Sequence, residues 1–154
     1  MKNNFPVSLI IPFYKSEKDI LKCIETIKSQ DIKDKIEIIF VDDCSKDNTA
    51  KIIEDSQLLN YNILTLNENK GPSAARNKGL AVARGEYVFF LDVDDTIEST
   101  TLSSLYETAK QGNYDMVFCD KQRIYDNKNF RDKIFAFNDD KEFNYDEITS
   151  EIKK

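Results

Sequence analysis

The chain has 154 residues, 40% hydrophobic and 32% charged, with a formal net charge of −6, which fits one domain with a real core and excludes the basic footprint that nucleic acid requires. It contains no histidine, and that removes Ser-His-Asp and Cys-His nucleophilic sites, His-ligated zinc and imidazole bases together. Acid–base or metal chemistry therefore falls to carboxylates, whose oxygen ligands favour Mg²⁺, Mn²⁺ or Ca²⁺.

Taken in order, the chain alternates between two periods. Pro6-Val7-Ser8-Leu9-Ile10-Ile11-Pro12 is a short apolar run closed by proline, the pattern of a buried strand. Ser16 precedes a helical stripe of Ile20, Leu21, Ile24 and Ile27, with Glu17 and Asp19 expected in the first turn. Residues 36–41 form a second strand, ending at the polar turn Asp42-Asp43-Cys44-Ser45 before a helix over 49–55. Residues 62–66 read as a third strand, and Gly71-Pro72-Ser73 leads into a small-residue helix over 74–83. Residues 86–91 are the fourth and most apolar strand, running into Asp92-Val93-Asp94-Asp95. Ser99 or Thr100 caps a helix to about Gln111, and residues 115–119 complete a fifth strand. From Tyr125 onward charges and aromatics mix without a clear period, so an edge segment is expected there rather than a second domain.

Near-continuous apolar strands alternating with amphipathic helices imply a mostly parallel α/β sheet covered on both faces, a three-layer α/β/α sandwich. Function in such sheets gathers at the carboxyl ends of the strands. There this sequence places Pro12 and Tyr14, the pair Asp42-Asp43, and the run Asp92-Val93-Asp94-Asp95. Carboxylates on one edge repel one another unless a cation or hydrogen-bond donors compensate. Each feature also has a plainer reading. Asp42-Asp43 could be an Asx-turn and cap, Gly71-Pro72 a turn, Arg76 a surface charge, and Pro12 and Tyr14 strand-end packing. Three acids in four positions are harder to assign to a solvated turn, and metal or phosphate binding is the reading preferred here.

Cys23, Cys44 and Cys119 are odd in number and form no C-x-x-C pattern, which reads as free thiols in a reducing compartment. Met1 to Asn4 lead straight into a short apolar run without a signal-peptide h-region. No stretch reaches the ~18 apolar residues of a membrane span. A cytoplasmic protein is expected, working at the inner face of a membrane.

The ordered set Val7-Ser8-Leu9-Ile10-Ile11-Pro12-Phe13-Tyr14, Val41-Asp42-Asp43-Cys44-Ser45, Asn69-Lys70-Gly71-Pro72-Ser73-Ala74-Ala75-Arg76-Asn77 and Phe89-Phe90-Leu91-Asp92-Val93-Asp94-Asp95 resembles the family 2 glycosyltransferases. The resemblance implies the Rossmann-like nucleotide-diphosphosugar transferase (GT-A) fold. It implies an inverting transfer of sugar from a nucleotide-diphosphate donor, with UDP the expected carrier, to a saccharide or lipid-linked acceptor in surface polysaccharide synthesis. By the same resemblance Pro12 and Tyr14 line the base and ribose pocket, Asp43 bonds uracil, and Gly71 and Arg76 lie near ribose or diphosphate. Asp94 ligates Mn²⁺ or Mg²⁺, and Asp92 contacts ribose or joins the metal shell. Residues 1–124 are then a nucleotide-sugar-binding domain, and 125–154 the start of a truncated acceptor region.

One departure concerns the general base, which in the family lies in a later acidic motif. Asp139, Asp140, Glu142, Asp146 and Glu147 match no such motif, so the base is expected outside this chain. Two other readings stand beside the transferase. One is a nucleotide-sugar-binding fragment without turnover. The other is a haloacid-dehalogenase-like phosphatase, suggested by Asp92-Val93-Asp94-Asp95-Thr96 but leaving the other motifs unexplained. A dinucleotide-binding reading fails because no G-x-G-x-x-G follows a strand.

Overall fold

The computed structural model describes residues 5–119 in full and the backbone of 121–125 and 128–132. The chain divides into two compact units, Met1–Val117 and Phe118–Lys154. In the first, β1 (Val7–Phe13), β2 (Glu37–Asp42), β3 (Tyr61–Thr65) and β4 (Tyr87–Phe90) form one sheet in the order β3-β2-β1-β4, every pair parallel. The central strands β1 and β2 are buried along their whole length, as the unbroken apolar runs in their sequence require.

Alternation along the strands splits the core in two. Leu9, Ile11, Phe13, Ile38 and Phe40 face α1 (Ile20–Lys28), α2 (Thr49–Glu54) and α4 (Thr101–Gly112), packing with Ile20, Ile24, Ile27, Ile53 and Leu102. On the opposite face Ile10, Ile39 and Val41 pack with Ala75 of α3 (Pro72–Leu80). That face has room for only a small helix. A Cβ added at Gly79 would lie 2.6 Å from Ile10 Cγ2, so α3 sits directly on β1. The three-layer parallel architecture expected from the sequence is the one observed.

The amino-terminal edge of the sheet is closed by a buried polar cluster. Ser8 and Glu37 pair across β1 and β2, and Ser8 Oγ donates to Glu37 Oε2 at 2.6 Å. Arg84 adds its backbone N–H at 2.8 Å and its Nε at 2.7 Å to the same carboxylate, and Gly85 N–H donates to Ser8 Oγ at 2.8 Å. Burial raises the Glu37 pKa, but the bonds from Ser8 and Arg84 outweigh it and hold the carboxyl below its usual range. This cluster fixes the turn that delivers β4.

Several element boundaries differ from the sequence reading. Helix α1 starts at Ile20, because the Ser16 carbonyl accepts the Asp19 and Ile20 N–H groups in a preceding turn. Glu17 and Asp19 therefore lie ahead of the first turn, and Glu17 instead accepts the Asn48 N–H. Helix α3 begins two residues earlier than expected, with Pro72 in its first turn, where a missing N–H costs nothing. Strand β4, the most apolar in sequence, is only partly buried, and Phe90 is 44% exposed. Among the described residues it pairs with β1 alone.

The strand expected over 115–119 does not form. Helix α4 ends at Gly112 with Asn113 in the left-handed region (φ 51°), and residues 116–119 carry no regular structure. Met116 and Phe118 are exposed. An apolar run supplies strand tendency, but a strand exists only where a neighbour takes up its ladder. In the second unit, β5 (Lys121–Tyr125) and β6 (Lys128–Asp132) form an antiparallel pair in which Tyr125 meets Lys128. This hairpin corrects the expectation of no strand period beyond Tyr125. The acidic residues of 139–147 lie outside the described residues.

Candidate functional site

All four strands point the same way, so the loops after β1, β2, β3 and β4 share the carboxyl edge. The chain places β2 and β3 on one side of β1 and β4 on the other. The strand order thus reverses between β1 and β4, the position where open α/β sheets form a ligand crevice.

The β1 and β2 loops are bound to each other. Lys15 N–H donates to Ser45 Oγ at 2.9 Å and Ser16 N–H to Thr49 Oγ1 at 3.0 Å. Lys15 and Cys44 both adopt positive φ, 52° and 65°, conformations held by these crosslinks. Pro12 is buried within β1 opposite Val41. Tyr14, just past the strand, is 43% exposed, with Lys15 Nζ 5.1 Å from its ring centre. Asp42 turns back on its own loop, its Oδ1 accepting the Ser45 N–H at 2.7 Å.

Asp43 reaches further. It is 4% exposed, and its two oxygens accept the N–H groups of Lys70 and Gly71, each at 2.7 Å. These bonds hold the loop after β3 against the end of β2. Gly71 occupies the position before α3 at φ 83° and ψ 168°, a region open essentially to glycine. The sequence gives no hint that Asp43 serves as an acceptor for this loop, since its partners lie 27 and 28 residues away. Two lone-pair positions on the carboxylate remain for a further donor.

One turn into α3, Arg76 Nη2 donates to Asp92 Oδ1 in a salt bridge. The segment after β4 is a turn in which Asp95 N–H donates to the Asp92 carbonyl at 3.0 Å. Val93 packs against the main core, while Asp92 is half-buried and Asp94 exposed. The acids on this edge are thus compensated by backbone amides at Asp42 and Asp43 and by a guanidinium at Asp92. Among the described residues no cluster of three or more acidic or thiol side chains could hold a metal alone.

The family model for glycosyl transferase family 2 matches residues 8–152. The chain belongs to that family. As a family 2 member it is 41% identical over 125 residues to a cholesterol galactosyltransferase of Borreliella burgdorferi, covering 80% of this chain and 34% of the relative. It superposes on Staphylococcus aureus TarS 1–349, solved with UDP-GlcNAc, with a TM-score of 0.68 at 37% identity, covering 71% of this chain and 32% of that one. A second match is the mannosyltransferase PcManGT from Pyrobaculum calidifontis, solved with GDP-Man and Mn²⁺. It gives a TM-score of 0.60 at 27% identity over 70% of this chain and 32% of that chain. The chain spans about a third of the length of the curated relatives it matches. Membership of this family with the GT-A fold leaves no place for the phosphatase reading. Among the described residues no helix is long and apolar enough to cross a membrane.

Proposed function

We propose that this chain is the donor-binding part of a metal-dependent inverting glycosyltransferase that uses a nucleotide-diphosphate sugar, with UDP as carrier. The observation that carries the reading is the convergence of Arg76 from α3 and Asp92 from the β4 loop beside the β1–β4 reversal. A guanidinium and two carboxylates at one crevice suit a diphosphate and a divalent cation together. In this reading residues 1–124 bind the donor and 125–154 begin the acceptor region.

The roles proposed for its residues are those that the family resemblance implies. Pro12 and Tyr14 bound the base and ribose pocket, and Asp43 bonds uracil with its remaining acceptor capacity. Gly71 lets the backbone approach ribose or diphosphate, and Arg76 forks onto phosphate oxygens. Asp94, exposed beside Asp92, is the metal ligand, and Asp92 contacts ribose or completes the shell. The described acids form no self-sufficient cluster, which fits a Mg²⁺ or Mn²⁺ ion that draws its other ligands from water and phosphate. When bound, that ion neutralises the charge developing on the diphosphate leaving group. Inversion requires a general base on the acceptor side, and no residue of this chain is assigned that task.

Saccharide or lipid-linked acceptors are the substrates proposed for the whole protein, in the cytoplasm at the inner membrane face. The named activity of the cholesterol galactosyltransferase relative supports a lipid-type acceptor. Because the chain matches only a third of its relatives, a second reading follows: on its own it binds donor without turnover. Calorimetric titration with UDP, with GDP as control, tests the proposal in Mn²⁺ and in EDTA. Metal-dependent binding selective for UDP is expected, and Asp94→Asn should abolish it. Equal UDP affinity with and without metal, or an unaffected Asp94→Asn chain, would remove the metal assignment.

A further inference from the structure

Resting on the donor-site reading, we propose that Arg76 is a resident counter-cation for Asp92 that keeps the site closed to metal until a diphosphate arrives. The Asp92 carboxylate is engaged by Arg76 Nη2. Two residues on, Asp94 is exposed and makes no ion pair among the described residues. One carboxylate of the pair is therefore neutralised and the other is not. A cation approaching alone must displace a guanidinium to gain the Asp92 carboxylate.

The salt bridge is both well positioned and exchangeable. Arg76 rides on a helix fixed at two points. Asp43 accepts the Lys70 and Gly71 N–H groups just before the helix, and Ala75 and Gly79 seat it on β1 and β2. These contacts hold the helix on the sheet, and the Arg76 side chain reaches from it to Asp92. The Arg76 and Asp92 side chains remain 31% and 48% exposed, open to an incoming ligand rather than sealed in the core. A diphosphate offers the planar fork a bidentate partner of higher charge than one carboxylate. As Arg76 turns onto phosphate, Asp92 is released just as phosphate oxygens become available to complete a metal's ligand set.

The consequence is positive coupling. Each ligand raises the affinity of the other by the same factor, as linkage requires. Without nucleotide, Mn²⁺ binding is held down by the salt bridge. Removing Arg76 should tighten Mn²⁺ binding to the empty site while weakening its dependence on UDP, the opposite of what loss of a structural support would do.

Mn²⁺ titration followed by electron paramagnetic resonance, with and without saturating UDP and with a blank for Mn²⁺ bound by UDP in solution, reads both effects. For Arg76→Gln the expected result is Mn²⁺ binding about tenfold tighter without nucleotide, and a UDP-dependent gain, about 5–150-fold in typical coupled sites, reduced by about the same factor of ten, leaving only what direct phosphate ligation of the ion supplies. Arg76→Lys, which keeps a cation, should restore most of the coupling and shows that the effect is one of charge rather than fold. If Arg76→Gln leaves Mn²⁺ affinity and coupling unchanged, or weakens Mn²⁺ binding in both conditions, while the wild-type chain binds UDP and Mn²⁺ cooperatively, this inference falls and the donor site stands. If the wild-type chain binds neither UDP nor Mn²⁺, the donor-site reading falls and takes the inference with it.

Discussion

Glycine is where single residues of this fold are least replaceable, and for two different reasons. At Gly71 a Cβ would meet nothing within 4 Å, so the obstacle is conformational. A side chain there must adopt φ 83° and ψ 168°, at a cost of about 1–3 kcal/mol. At Gly85 the obstacle is steric, because a Cβ would stand 2.3 Å from the Ser8 backbone nitrogen, which cannot rotate away. Gly71→Ala and Gly85→Ala should each lower stability by about 1–3 kcal/mol in urea unfolding. Only Gly71→Ala should also weaken UDP binding, since it displaces the amides that Asp43 holds. Equal effects of both variants on nucleotide affinity would contradict this division between the two edges of the sheet.

At the scale of elements, the amino-terminal cluster decides how β1, β2 and the turn into β4 stay in register. Glu37 is nearly buried and accepts from Ser8 and twice from Arg84. Arg84 is itself largely exposed, so its ionic contribution is screened and the hydrogen bonds matter more. Glu37→Ala leaves Ser8 and the Arg84 amide without their acceptor and should destabilise the chain by about 2 kcal/mol. Because the folded-state carboxyl titrates below its ordinary value, the stability it contributes is present above the unfolded pKa. That stability is lost as pH falls through the folded pKa. Urea midpoints followed into acid should therefore fall less steeply for Glu37→Gln than for the wild-type chain, and parallel curves would rule out this linkage. The elements themselves were unequally legible. The central strands β1 and β2 announced themselves because both faces are buried, so nearly every side chain is apolar. Strand β4 carried the same signal yet pairs only with β1 among the described residues, and residues 115–119 carried it with no strand at all. Apolar composition reports a tendency to be buried, whereas pairing depends on which neighbour is present.

Across the whole molecule the three thiols report on the core. Cys23 is fully buried in α1, and desolvation pushes its thiol up to about 12. Cys44 is half-buried with Sγ 3.6 Å from the Asn67 carbonyl, and Cys119 is exposed. A thiol-disulfide reagent at about pH 8, where an ordinary thiol is partly ionised, should label Cys119 at once. Cys23 should react only at the rate of unfolding. Labelling of Cys23 as fast as Cys119 would mean that α1 is not packed as described. The free-thiol reading of the sequence concerned composition alone, and the order of reactivity comes from the packing.

Local chemistry in the chain was sufficient for the alternating α/β pattern, the parallel sheet, the carboxylates and glycine at the strand ends, and the family resemblance. Those features repeat or cluster within a few residues and so leave a mark on periodicity and motif. The tertiary structure alone decided how the charges are used. Asp43 is bound to amides 27 and 28 residues away, Arg76 to an acid 16 residues away across the β1–β4 reversal, and Glu37 to an arginine 47 residues away. A carboxylate's sequence neighbours show that charge is present at a strand end. Which donor neutralises it depends on the strand order, because parallel crossovers bring loops distant in sequence to one edge.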